Sequence, residues 1–152
     1  MEVSPELFAD INLCQYFYLR SIGEPSDNAL SLVIEQATIG AMEEVREIGD
    51  VAFSDLRPIE STAQSCMFEV SWRSYVAYSV RNESFVTIDD YEQVEFGKVG
   101  RVYSRSRFLD YVATSTIASA EYPGPFRHFE VVCLNHIIDV VSTALPIVRK
   151  LR

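Results

Sequence analysis

The feature that most constrains this chain is a two-residue alternation between Cys66 and Val80. Cys66, Phe68, Val70, Trp72, Val76, Tyr78 and Val80 take even positions, while Glu69, Ser71, Arg73, Ser79 and Arg81 take odd ones. Successive strand side chains face opposite sides of a sheet, so the pattern predicts a strand with one apolar and one polar face. Such a strand is unusually long, and Arg73-Ser74 is the expected place for a bulge or turn. One-sided alternation belongs to antiparallel sheet, because parallel strands covered on both faces read as continuous apolar runs.

The stretch FRHFEVVCLNHIIDVVS, residues 126–142, extends the same argument. It is rich in β-branched residues, which favour strand over helix. Asn135-His136 divides it and predicts a two-residue hairpin turn between strands 127–134 and 137–142. That register pairs Leu134 with Ile137, Cys133 with Ile138, Val132 with Asp139 and Val131 with Val140. Phe129, Val131, Cys133, Ile138 and Val140 then share a core face. His128, Glu130 and Asp139 gather on the other face, and Cys133 does not meet His136. A helix, with Phe129, Cys133, His136 and Val140 on one face, is the weaker alternative.

Elsewhere the period is closer to that of a helix. Leu7, Phe8, Ile11, Cys14, Phe17 and Tyr18 predict a helix over 5–20 started by Ser4-Pro5, although QYFYL also suits a short strand. Asp27 is a plausible cap for a second helix to about residue 37, with Leu30, Val33, Ile34 and Ala37 on one face. AMEEVREIGD, 41–50, fits either element. RNES, 81–84, reads as a turn, FVTI, 85–88, as a short strand, and DDYEQVEF as the start of a short helix. VGRVYS, 99–104, predicts a strand. Ser106 then caps a helix with Phe108, Leu109, Val112 and Ala113 inward, and EYPGP, 121–125, is a loop. With no βαβ rhythm, the expected fold class is α+β. It is a single domain over residues 1–152, a mostly antiparallel sheet packed with two to three helices. Residues 1–22 form an N-terminal helix able to dock separately.

Composition narrows the function. With 48% hydrophobic residues among 152, the chain can bury a core, and no segment reaches the length of an apolar membrane span. Its acidic N-terminus does not read as a signal peptide. Three widely spaced cysteines, Cys14, Cys66 and Cys133, offer neither a disulfide framework nor a CxxC zinc pair. A reduced, cytoplasmic protein is therefore expected. The net charge of −9 is uneven: residues 1–60 carry 12 acids against 3 bases, and residues 101–152 carry 4 against 7. An acidic surface repels nucleic-acid phosphates and attracts a basic partner.

Catalytic signatures are missing. There is no P-loop, GxGxxG, GxSxG, HExxH or EF-hand pattern, and two histidines eight apart fall short of any metal-ligand signature. No cofactor or metal is expected. Two acidic clusters, Glu43, Glu44 and Glu47, and Asp89, Asp90, Glu92 and Glu95 with Tyr91, are candidate docking patches; each is otherwise a solvated face. RVYSRSRF concentrates Arg101, Arg105 and Arg107, which suits either an anion or a structural role at a helix start. With His128, Glu130 and Asp139 these arginines make an alternative ligand site.

At YVAYSVRNESF, YSRSRFLDYV and CLNHIIDVVST, spanning roughly 60–145, the chain resembles a family of small bacterial hypothetical proteins. That resemblance implies no activity or site. By analogy only, a small, acidic, motif-poor domain is similar to the immunity proteins that neutralise bacterial toxins. The expected function is non-enzymatic protein binding, in its sharp form inhibition of a basic toxin such as a nuclease. The alternative is a small enzyme or anionic-ligand-binding domain, in which His128 transfers protons with Glu130 or Asp139 and the arginines hold the substrate. A homo-oligomer joined through an exposed sheet face or edge is a third possibility.

Overall fold

The computed structural model describes residues 1–40, 44–48, 51–56, 58–87 and 89–152, with the side chains of 44–48 and 51–56 outside the description. Strands run β1 (Tyr16–Gly23), β2 (Leu30–Ile39), β3 (Glu44–Ile48), β4 (Val51–Leu56), β5 (Ile59–Glu60) and β6 (Met67–Trp72). They continue β7 (Ala77–Asn82), β8 (Gln93–Phe96), β9 (Gly100–Arg105), β10 (Arg127–Val132), β11 (His136–Ser142) and β12 (Ile147–Lys150). The α-helices are α1 (Ala9–Asn12) and α2 (Arg107–Ser115).

All these strands pair antiparallel. One sheet has the order β1-β2-β6-β12, with β5 also on β2; a second has the order β7-β11-β10-β9-β8; β3 and β4 pair with each other. The two large sheets share one core. Phe17, Leu32, Ile34, Phe68, Val70 and Trp72 from the first meet Val102, Phe129, Val131, Ile138 and Val140 from the second. Trp72 and Phe129 join them, with ring centroids 6.1 Å apart. Burying such side chains contributes about 1.5–3 kcal/mol each, which makes this interface the main source of stability.

The alternation from Cys66 to Val80 is present but serves two strands in different sheets. Residues 73–76 carry the chain across from β6 to β7. Phe68, Val70 and Trp72 are buried on β6 and Tyr78 of β7 packs against the same core, while Val80 on the edge strand β7 stays 41% exposed. Odd positions, including Ser79 and Arg81, are thereby left on the outer face of the second sheet.

The expected helix over 5–20 is corrected. Ser4 Oγ accepts the Glu6 amide at the start of a 3-10 turn, Pro5–Phe8, and α1 ends at Asn12. Tyr16 to Gly23 is strand, paired along β2, so residues 1–22 are not a separately docked helix. Phe8 and Ile11 are nevertheless fully buried, and Phe8 stands edge-on to Phe129 at 6.3 Å. The helix expected from Asp27 to residue 37 is strand β2, flanked by β1 and β6. In both places the apolar spacing fits either period. The β-branched and aromatic residues and the hydrogen-bonding neighbours, β1 and β6 for β2 and β2 alone for the edge strand β1, decide for strand.

Smaller expectations also shift. AMEEVREIGD contains strand β3, and Asp50 lies outside the described residues. Asn82 caps a 3-10 turn at Glu83–Phe85, so no strand forms at 85–87, and Ile88 is outside the description. Residues 89–92 are a turn leading into β8, not a helix. On α2, Val112 is buried, Phe108 and Leu109 are partly buried and Ala113 is exposed. The described residues form a mostly antiparallel sheet structure with two short α-helices, the lower end of the two to three expected and a smaller helical part than that implies.

Candidate functional site

The second sheet sorts its residues by register. Asp139 on β11 lies between Ser79 on β7 and Glu130 on β10, and Glu130 lies opposite Arg101 on β9. One rung of the ladder thus reads Ser79-Asp139-Glu130-Arg101 across four strands, all on the outer face. In the next rung His128 stands opposite Val141 and Tyr103. The hairpin turn is one residue earlier than expected, at Leu134-Asn135, with Cys133 N donating to His136 O at 2.8 Å. Each cross-strand partner therefore moves by two: Val132 pairs with Ile137 and Val131 with Ile138. A shift of two preserves the faces, so the expected gathering of His128, Glu130 and Asp139 is found. The earlier turn is held from outside the hairpin. Leu134 N donates to Phe17 O, and Asn135 Oδ1 accepts Leu19 N at 2.9 Å, which ties the turn to β1.

The cluster is buried and saturated. Ser106 Oγ and His128 Nδ1 are 2.7 Å apart, and His128 Nε2 and Asp139 Oδ1 are 2.8 Å apart. Because an ionised Asp139 only accepts, Nε2 carries a proton. Ser106 Oγ already accepts the Leu109 amide at 3.0 Å as the cap of α2, leaving its hydrogen for Nδ1. The Tyr103 ring stacks on His128 at 4.6 Å and the Phe108 ring meets it edge-on at 5.4 Å. Tyr103 donates to Glu130 Oε1 at 2.9 Å, and Arg101 Nη1 reaches the same oxygen at 3.4 Å. Arg81 bridges both acids, with Nε 3.1 Å from Asp139 Oδ2 and Nη2 3.3 Å from Glu130 Oε2.

Burial, and then the hydrogen bond and charge of Asp139, push the Glu130 carboxyl up to about 8. Burial also opposes the charge of Asp139, but the hydrogen bonds from His128 and Glu130 outweigh it and hold this carboxyl below its ordinary value. Desolvation, with the adjacent Glu130 charge, raises the Tyr103 phenol. One proton is therefore kept on Glu130 while Asp139 is ionised, the usual outcome when two carboxyls share a dry site.

The chain Ser106-His128-Asp139 has the residue types of a nucleophilic triad, but Ser106 is fully buried beneath α2. Its hydroxyl serves the helix and the imidazole, out of reach of a substrate. Cys133 is no substitute nucleophile, since burial pushes its thiol up to about 12. A nitrogen of His128 and oxygens of Glu130 and Asp139 lie within 4.8 Å of one another. Both ring nitrogens and both carboxyls are engaged by protein groups, so a cation here would have to displace Arg81.

A groove opens beside this cluster. A cavity of about 290 Å³ is lined by Ser79, Arg81, Asp139, Asp89, Phe108 and Tyr111, among others. A neighbour of about 250 Å³ shares Arg81, Thr87 and Glu92 with it and adds Arg101, Tyr103 and Glu130. His128 lies beneath and lines neither.

The acidic cluster at 89–95, a candidate docking patch, is largely engaged by arginines and by the start of α2. Arg107 Nε pairs with Asp89, and its backbone N–H donates to Glu92 Oε2 at 3.1 Å. Arg127 pairs with Glu95, and Tyr91 donates to Asp110. The Arg105 and Arg107 guanidiniums lie 4.8 and 4.9 Å from the Tyr91 ring centroid. The Arg107 guanidinium and then the Tyr91 amide hold the Asp89 carboxyl below its ordinary value. Asp89 and Glu95 are ion-paired, Glu92 is held by the Arg107 backbone amide, and neither Glu92 nor Asp90 makes an ion pair among the described residues. Glu43 lies outside the described residues; Glu44 and Glu47 are on β3 with undescribed side chains.

Three important residues were not singled out as site residues by the sequence: Ser106 beyond its cap role, Arg81 and Tyr103. Arg81 and Tyr103 fall on the polar and aromatic positions of strands, and only the register brings them to Glu130.

No family model, curated protein or solved structure matches the chain. No helix among the described residues is long and apolar enough to cross a membrane.

Proposed function

We propose that the protein is a non-enzymatic binding protein and that another protein docks over the groove on its second sheet. The supporting observation is a concave surface flanked on both sides by exposed apolar side chains. Phe85, 81% exposed, and Val86 stand on the loop beside the groove, and Tyr111, 60% exposed, stands on α2 opposite. A docked partner would cover these apolar side chains and release their water, while the polar floor supplies hydrogen bonds that fix its orientation. The buried nucleophile candidates argue against covalent catalysis at the same place.

Photo-crosslinking in the native host tests this. A crosslinker at Tyr111 is expected to capture one stoichiometric protein, while one at Ile147 on β12 of the other sheet captures none. Capture from Ile147 alone would remove the groove from the reading.

The sharper form, an immunity-type inhibitor of a basic toxin, rests on the −9 charge and its concentration in residues 1–60. Among the described residues β3 and β4 pair with each other and with neither large sheet, and their sequence carries Glu44 and Glu47. A basic partner there would bind quickly and lose affinity with salt. Reversing Glu44 and Glu47 is expected to flatten that salt dependence, and an unchanged profile counts against the hairpin.

A further inference from the structure

We infer that the groove receives one carboxylate of the docked partner, from an acidic side chain or a chain terminus, between Arg81 and Arg101. This rests on the docking reading above. Both guanidiniums line the same cavity, and both contact Glu130 by single, long hydrogen bonds of 3.3 and 3.4 Å. Arg81 uses Nε and Nη2 on the two acids, and Arg101 uses Nε on Lys98 O and Nη1 on Glu130. Arg81 Nη1 and Arg101 Nη2 make no hydrogen bond among the described residues. The Arg81 side chain is 48% exposed, so its remaining donors are accessible.

Charge selects the ligand. Glu130 and Asp139 are cross-strand neighbours, each 3% exposed. Desolvation and mutual repulsion oppose ionisation of both. With a proton on Glu130, two guanidiniums face the one charge of Asp139, and Glu83 and Glu92 on the cavity wall add two more negative charges. What the site offers is therefore unused guanidinium donors and not a net positive charge. A planar fork of N–H groups matches a monoanionic carboxylate, whereas a dianionic phosphate is repelled more strongly by the same acids. The remaining groups facing Glu130 are occupied: Tyr103 donates to it, and His128 is held by Asp139 and Ser106. Glu92 accepts the Arg107 amide, and Arg107 is paired with Asp89.

The same arrangement releases the ligand. When Glu130 ionises, near pH 8, its own charge closes on Arg81 and Arg101 and competes with the incoming carboxylate. Carboxylate affinity is then level well below pH 8 and falls above it, by up to about tenfold per pH unit.

Fluorine NMR of para-fluorobenzoate with the full chain tests the inference, with acetate and inorganic phosphate as competitors. Saturable binding below pH 8 is expected, about tenfold or more weaker in R81Q and R101Q, displaced by acetate more readily than by phosphate. Wild-type affinity should fall above pH 8, and E130Q should remove that fall. Absence of saturable binding, indifference to both arginine variants, a level wild-type pH profile, or tighter competition by phosphate would each overturn it. A partner captured at Tyr111 with no benzoate binding leaves docking intact and ends the carboxylate site. Benzoate binding with capture from Ile147 alone does the reverse.

Discussion

Glu130 and Asp139 face each other directly across β10 and β11, both buried, with Arg81 touching both. Like charges opposite one another normally destabilise a sheet, and here a retained proton and a guanidinium resolve the conflict. The fold thus stores a titratable group where its ionisation is felt.

Glu130 should therefore make stability depend on pH. Its folded carboxyl, near 8, lies above its ordinary value of 4.5. Between these the folded chain holds a proton that the unfolded chain has lost. The Glu130 contribution is fully present below about 4.5 and is lost as pH rises through 8. Urea denaturation across this window should show wild type losing stability with rising pH more steeply than E130Q. Parallel profiles would show that Glu130 is ionised throughout.

Ser106→Ala removes the cap of α2 and a hydrogen bond to a buried imidazole. The expected loss is about 2 kcal/mol, combining the usual cost of a cap with that of an unsatisfied buried partner. Partner capture through Tyr111 should survive in the folded fraction. A change below about 0.5 kcal/mol in denaturant unfolding would mean that Ser106 does not hold α2.

Gly100→Ala tests how the N-terminal segment docks. A Cβ at Gly100 would lie 2.4 Å from Phe8 Cγ, inside the contact limit of real side chains. Asn12 beside it accepts the Val99 and Gly100 amides at 2.9 Å each. Displacing Phe8 should cost about 1–3 kcal/mol or more. G100A combined with Phe8→Ala should cost less than the two separate losses added together, and strict additivity would place the clash elsewhere.

Asp89 and Arg107 should clasp residues 89–92 to the start of α2. Asp89→Lys is expected to raise hydrogen exchange at the Tyr91 and Arg107 amides, which donate to Asp89 and Glu92. The Asp89 carboxyl is held below its ordinary 3.8, so the clasp is present above that value and loosens as pH falls. Unchanged exchange in the variant would show that the turn stands without the pair. Reversing Asp89, Asp90 and Glu92 together should likewise disturb this segment, so lost binding in that variant would not by itself mark a docking patch.

Much of the site was legible in the sequence because a two-residue period survives errors of register by two. His128, Glu130 and Asp139 were assigned to one face from alternation alone, although the turn is one residue earlier. Arg81 was visible as an outward strand position, but its partners are 49 and 58 residues away and follow from β7 joining β11. The acids at 89–95 and the arginines at 105–107 were both visible as charge clusters. Their mutual pairing was not, because it depends on how the turn before β8 folds back on α2.

The sequence by itself determined antiparallel pairing, the cap at Ser106 and which side of the 127–142 hairpin is polar, since each follows from local alternation or from one side chain and its nearest amides. Tertiary structure decided the N-terminal 40 residues, where apolar spacing fits helix and strand alike and the neighbouring strands settle the choice. It also decided that β6 and β7 belong to different sheets, and that two carboxyls and a histidine share one dry site with two half-exposed arginines at its mouth. Those outcomes depend on desolvation and on charges brought together from four strands, quantities that no local stretch of the chain contains.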